Sequence, residues 1–174
     1  MAVGNLEFIK SASGTSVSFL DVTDCFSANY DVYYFSLTKV KRAGGIDAFV
    51  TIRYLDSGGT VIDQTEYDYA ALETRAYISF GENGVTNASQ IKEIAYGSSN
   101  ATDIGGISLY VYNPYDSSSY TFLTSQSSSV RAGFGNWGSK VIAVHKSAEQ
   151  LSGVRFIAEA STYDNITVNV YGVK

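Results

Sequence analysis

Apolar and polar residues alternate with a period of two in short runs along most of the chain, the signature of strands that bury one face and expose the other. In Val32 to Val40, residues Tyr33, Phe35 and Leu37 fall on one face, with Ser36 and Thr38 on the other. Ala48 to Leu55 repeats the pattern, with Val50, Ile52 and Tyr54 opposed to Thr51 and Arg53. The cleanest case is Ile107 to Tyr112, where Ile107, Leu109 and Val111 point inward and Ser108, Tyr110 and Tyr112 outward. At the end, Ile166, Val168 and Val170 face in, while Thr167, Asn169 and Tyr171 face out. Shorter runs at Ser16–Leu20, Ala76–Phe80, Ile91–Tyr96, Tyr120–Thr124, Lys140–His145 and Val154–Ala158 add further strands.

Turn residues punctuate these runs. Asp56-Ser57-Gly58-Gly59 predicts the clearest hairpin, returning at Val61-Ile62. Gly81-Glu82-Asn83-Gly84, Gly97 to Asn100 and Asn113-Pro114-Tyr115-Asp116 read as stops, the lone proline sitting where its missing N–H does no harm. Ser125 to Ser129 reads as a polar loop, and the glycine-rich stretch around Trp137 as a bend. Tyr67 to Tyr77 is ambiguous: Ala70, Ala71, Leu72, Glu73 and Arg75 favour one or two helical turns. About eight to ten strands without alternating helices predict an all-β antiparallel sandwich, jelly-roll-like, with at most one short helix. No repeat or linker divides the chain, so residues 1–174 are expected to form one domain.

Composition fits this reading. Fourteen tyrosines and nine phenylalanines in 174 residues are a strand-forming vocabulary. The charged fraction is 17%, and the formal charge of −5 argues against nucleic acid or an anionic membrane as partner. Lys39, Lys41 and Arg42 are the densest basic group, and they read as a solvated strand end. No apolar run approaches the ~20 residues of a membrane helix. The opening residues lack a secretory signal, so synthesis and retention in a cytoplasm are expected.

Candidate chemistry is sparse. His145 is the only histidine and Cys25 the only cysteine. A Ser-His-Asp or Cys-His pair would have to use that histidine, and a zinc site would want several such ligands. His145 reads as structural, and Cys25 as a buried small hydrophobe. Calcium needs only oxygens, yet Asp21 with Asp24, Glu66 with Asp68, and Asp116 match no calcium loop and read as turn caps. Glu66, Asp68, Glu73, Glu82, Glu93, Glu149 and Glu159 could supply a glycosidase pair, but their spacing singles out no two. No catalytic, cofactor or metal residue is assigned. The informative signal is tyrosine: Tyr110, Tyr112, Tyr115 and Tyr120 flank one turn and, with Trp137, are the candidate interface residues. The competing reading is that they merely cover the second face of a twisted sheet.

The closing segments Leu151-Ser-Gly-Val-Arg-Phe-Ile157 and Ile166-Thr-Val-Asn-Val-Tyr-Gly-Val-Lys174 resemble the ends of small β proteins in tailed phages. Tyr110 to Phe122 and Asn5 to Gly14 are similar to segments of marine phage proteins, cyanophages included. The resemblance implies a non-enzymatic virion component, assembled in the host cytoplasm. The expected role is a capsid decoration or cement protein that stabilises the head by binding the major capsid protein or other virion proteins. Such a protein is expected as a homo-oligomer, a trimer by preference, held by apolar and tyrosine surface and by strand addition at a sheet edge. The alternative is a tail-fibre or spike domain that recognises host glycans through Trp137 and the tyrosines. A glycan-active enzyme is the remaining class.

Overall fold

The computed structural model describes residues 5–43, 48–77, 79–97, 105–131 and 135–174. These form β1 (Leu6–Gly14), β2 (Phe19–Val22), β3 (Val32–Arg42), β4 (Ala48–Asp56), β5 (Tyr67–Arg75), β6 (Gly81–Ala88), β7 (Ile91–Gly97), β8 (Gly105–Tyr112), β9 (Thr121–Arg131), β10 (Gly135–His145), β11 (Leu151–Ala158) and β12 (Tyr163–Val173). The protein is all-β, and every pairing is antiparallel. One sheet has eight strands in the order β1-β12-β3-β8-β9-β10-β5-β6, the other four in the order β2-β11-β4-β7.

The pairs β1·β12, β2·β11, β3·β8 and β4·β7 explain this order. They are the successive rungs of one long antiparallel ribbon, folded in half between β4 and β7 and then rolled so that its rungs fall alternately in two sheets. That is a jelly roll. The two hairpins β5–β6 and β9–β10 are insertions, and both extend the larger sheet beyond β8.

The core lies between the sheets and follows the sequence alternation. Tyr33, Phe35, Leu37, Val50, Ile52, Tyr54, Leu109, Val111, Val168 and Val170 are all buried. Tyr33, whose ring would otherwise bury a hydroxyl unpaired, donates to Ser27 O at 2.8 Å and accepts from Ser27 N at 2.7 Å.

Several expected boundaries differ. Tyr67–Arg75 is a strand rather than a helical turn. Its Tyr67, Tyr69, Ala71 and Glu73 face inward, and it is paired on both sides, by β10 and β6. The helix preference of Ala-Ala-Leu-Glu amounts to tenths of a kcal/mol per residue, roughly, and sheet pairing overrides it. Gly81 to Gly84 opens β6 instead of stopping a strand, and Ala76–Tyr77 is a turn. An edge strand buries little, so β6 shows no alternation to read. Ser125–Ser129 is the middle of β9, and Trp137 sits within β10. The hairpin at Asp56–Gly59 returns for a single bridge, Leu55 to Val61. It occupies the side of β4 that β7 leaves open beyond Ile52.

Candidate contact face

Strand register brings the outward residues of the larger sheet into continuous rows. One row runs Phe8–Tyr171–Tyr34–Tyr110–Thr124–Ile142–Ala70–Gly84, one residue from each of its eight strands. The neighbouring row runs Leu6–Val173–Val32–Tyr112–Phe122–Val144–Asp68. Of these positions only Asp68 is charged. The row on the other side is polar: Ser11–Asn169–Ser36–Ser108–Gln126–Lys140, followed by Leu72 and Glu82.

The two apolar rows are open to solvent. Ile142 is 64% exposed, Phe8 58%, Leu6 46% and Phe122 45%. Burying such side chains is favourable by roughly 25 cal/mol per Å² of apolar surface, and a contiguous apolar patch of this kind marks an interaction site. Its aromatic end is ordered by ring contacts. Centroids lie 5.7 Å apart for Phe8 and Tyr171, 5.9 Å for Tyr171 and Tyr34, and 5.0 Å for Tyr34 and Tyr110. Tyr110 and Tyr112 stack at 6.4 Å. Neighbouring tyrosine rings therefore lean against one another, at interplanar angles of 41° for Tyr34 with Tyr110 and 33° for Tyr34 with Tyr171. Towards β6 the face dips into an open groove of about 910 Å³, lined by Tyr110, Thr124, Gln126, Lys140, Ile142, Leu72 and Glu82 among others.

The expected interface residues divide. Tyr110, 38% exposed, and Tyr112 belong to these rows. Tyr120 is exposed beside them, but Tyr115 packs partly against the core. Trp137 is 3% exposed, its ring 5.0 Å from Tyr96 with Arg75 stacked over it at 4.4 Å. It therefore cannot offer a face to a ligand. The residues that sequence reasoning missed are Phe8, Ile142, Phe122, Tyr34 and Tyr171. Each lies on a different strand, Phe8 beside a bulge in β1, and only register shows that they adjoin.

The carboxylates gain partners from the fold. Asp21 binds Arg155 bidentately at 2.6 and 2.7 Å, Asp68 meets Lys146 at 2.8 Å, and Asp116 caps its turn through Ser118. The lysine pairing and a hydrogen bond from Asn87 N hold the Asp68 carboxyl below its ordinary range. The basic trio is not one solvated group. Arg42 is fully buried and donates to Phe49 O and Glu159 O, whereas Lys41 pairs with Asp164 at 2.9 Å. Cys25 is buried; desolvation pushes its thiol up to about 12, which rules out a thiolate nucleophile at neutral pH. His145 is fully buried at the end of β10, and Glu66 and Glu149 converge on it.

No protein-family model matches the chain, and no curated protein matches it. Among solved structures, a marine PL-14 alginate lyase from Aplysia kurodai aligns over 94% of this chain and 81% of its own, at 8% identity and a TM-score of 0.33. A fructofuranosidase from Schwanniomyces occidentalis covers 98% of this chain with 35% of its own length, at 8% identity and a TM-score of 0.20. The VP2 subviral particle of infectious bursal disease virus aligns over 100% of this chain and 38% of its own, at 13% identity and a TM-score of 0.14. Likenesses this distant carry no argument about activity or partners.

Proposed function

We propose that this chain is a non-enzymatic structural protein whose task is contact, and that it docks a protein partner on the outer face of the eight-stranded sheet. The observation that carries the reading is the pair of apolar rows running across that sheet, uncharged but for Asp68 at one end, with Ile142 and Phe8 more than half exposed. Desolvating such a surface costs little, while its ordered aromatic end offers rigid contact area. The resemblance to phage proteins supplies the setting: a capsid decoration protein bound to the major capsid protein, as a homo-oligomer and by preference a trimer. A jelly roll is common to viral capsid and lectin domains, so the fold accommodates this role without selecting it.

The ring geometry weighs against the glycan-binding alternative. A sugar stacks on an open aromatic face, but here Trp137 is enclosed and the tyrosine rings of the face lean against one another.

Ile142→Asp places a charge in the middle of the face without touching the core. It should weaken docking by about 2–4 kcal/mol, read as lost co-sedimentation with particles. Cryo-electron microscopy of the particle should place the chain on the head lattice with this face against its neighbour. Density for the chain only at the tail, or none, defeats the capsid assignment.

A further inference from the structure

We propose that Glu66, His145 and Glu149 form a binding site for a divalent transition-metal ion, with Zn²⁺ as the ion that suits the donor set. This site is independent of the contact face. His145 ends β10 with its side chain turned inward, Glu66 directly precedes β5, and Glu149 lies in the segment joining β10 to β11. The backbone bond from Lys146 N to Glu66 O, 2.8 Å, pins two of these segments together. His145 Nε2 lies 3.2 Å from Glu66 Oε2 and 3.7 Å from Glu149 Oε1, and all three donor atoms fall within 4.8 Å of one another.

The charge balance of this cluster asks for a cation. Two carboxylates converge on one ring nitrogen, and a single N–H can satisfy only one of them well. With an ion at Nε2 the ring proton sits on Nδ1, which is buried without a hydrogen-bond partner among the described residues, so this site lacks the supporting bond at the other nitrogen. An ion at Nε2 answers both carboxylates at once. One imidazole with two carboxylates is a zinc-type ligand set that leaves a fourth position for water, whereas Ca²⁺ favours oxygens alone.

The imidazole is held in place by stacking. Its centroid lies 5.0 Å from that of Tyr67 and 5.9 Å from that of Tyr54, which aims Nε2 at the carboxylates. Metal-binding histidines ordinarily gain a further hydrogen bond at the other nitrogen, and its loss weakens affinity by about 10–100-fold. The site should accordingly bind Zn²⁺ moderately, and it should act as a clamp between strand ends, since the groove on the outer face is lined by other residues.

Calorimetric titration of the whole chain with ZnCl₂ should show one ion bound per chain, and the thermal midpoint should rise with Zn²⁺ concentration. Glu149→Gln and Glu66→Gln alter partly exposed side chains, so both should fold; each should lower affinity by more than about 10-fold, as loss of a direct ligand must exceed loss of a supporting one. In the wild-type chain, Zn²⁺ should also shift the imidazole NMR resonances of His145. The proposal is overturned if Zn²⁺ does not bind, if both glutamine variants bind it as tightly as the wild type, or if Ca²⁺ binds at this cluster in its place.

Discussion

The two halves of the larger sheet share one hydrogen-bonded ladder and differ in what they bury. In the jelly-roll half, β1, β12, β3 and β8, the inner face is made of aromatic and branched aliphatic side chains. In the inserted half, β9, β10, β5 and β6, the row Val111–Leu123–Ala143–Tyr69 stays apolar and buried, but another row turns polar. The row Leu37–Ile107–Ser127–Ser139–Glu73 changes from apolar to polar at a single step, between β8 and β9. Ser125, Ser127, Ser129, Ser139 and Glu73 are nevertheless buried, beneath β7 with its Glu93 and Tyr96. Strand pairing holds an inner face in place whatever its side chains are, whereas hydrophobic packing supplies stability only where those side chains are apolar. The first half thus anchors the fold, and the second widens the outer face.

The most damaging way to probe that division is Phe35→Ala. Phe35 is fully buried, with Phe26 at 6.0 Å and Phe156 at 6.2 Å, and truncation should cost about 3–5 kcal/mol in urea unfolding. A cost below ~1 kcal/mol, the scale of an ordinary surface change, would mean that the jelly-roll half is not the anchor.

Next comes a pair of glycines. A Cβ added at Gly153 in β11 would lie 2.2 Å from Val22 O, a backbone atom, so Gly153→Ala should cost about 1–3 kcal/mol or more. At Gly84 in β6 a Cβ meets nothing within 4 Å, and alanine there should be neutral or stabilise by up to about 1 kcal/mol. Equal thermal midpoints for the two variants would erase the contrast.

The same division explains what could be read in advance. Tyr33, Phe35, Leu37 and the Ile107–Val111 run were legible because each places an apolar face on an apolar core. Ser125–Ser129 looked like a loop because its inward residues are serines, and a period of two between serine and glutamine has no hydrophobic amplitude to detect. The contact face was legible only in Tyr110 and Tyr112. Phe8, Tyr34, Phe122 and Ile142 lie on other strands, and no one strand's pattern states its register with another. The Glu66–His145–Glu149 cluster was hidden for a related reason: Glu66 and His145 meet across the β5–β10 pairing.

Smaller effects follow in the inserted half. Ser139 Oγ is buried without a hydrogen-bond partner among the described residues, while Ser139 N donates to Ser127 Oγ at 3.2 Å. Ser139→Ala removes the unpaired hydroxyl and keeps the backbone bond, so it should be neutral or stabilise by up to about 1 kcal/mol. A loss of more than ~1 kcal/mol would show that the serine row contributes packing of its own.

The finest probe is Glu93, 8% exposed and hydrogen-bonded by Asn83 Nδ2 at 2.5 Å. Desolvation raises its carboxyl above the ordinary value of 4.5, and Glu73 adds to this, against the opposing pull of Asn83, Lys92 and Arg75. The folded chain therefore holds this proton more tightly than the unfolded chain does. Its contribution to stability is fully present below 4.5 and is lost as pH rises through the raised folded value. Glu93→Gln keeps an acceptor for Asn83 and carries no charge to desolvate. The variant should match the wild type near the acid end of that window and exceed it at neutral pH, in thermal melts across the range. Asp68, on the outer face, has the opposite sign: its lowered carboxyl contributes above its ordinary value of 3.8 and loses that contribution as pH falls. If Glu93→Gln gave no gain at neutral pH, the inserted half would be wet enough to solvate a carboxylate, and its buried polar row would be an extension of the surface.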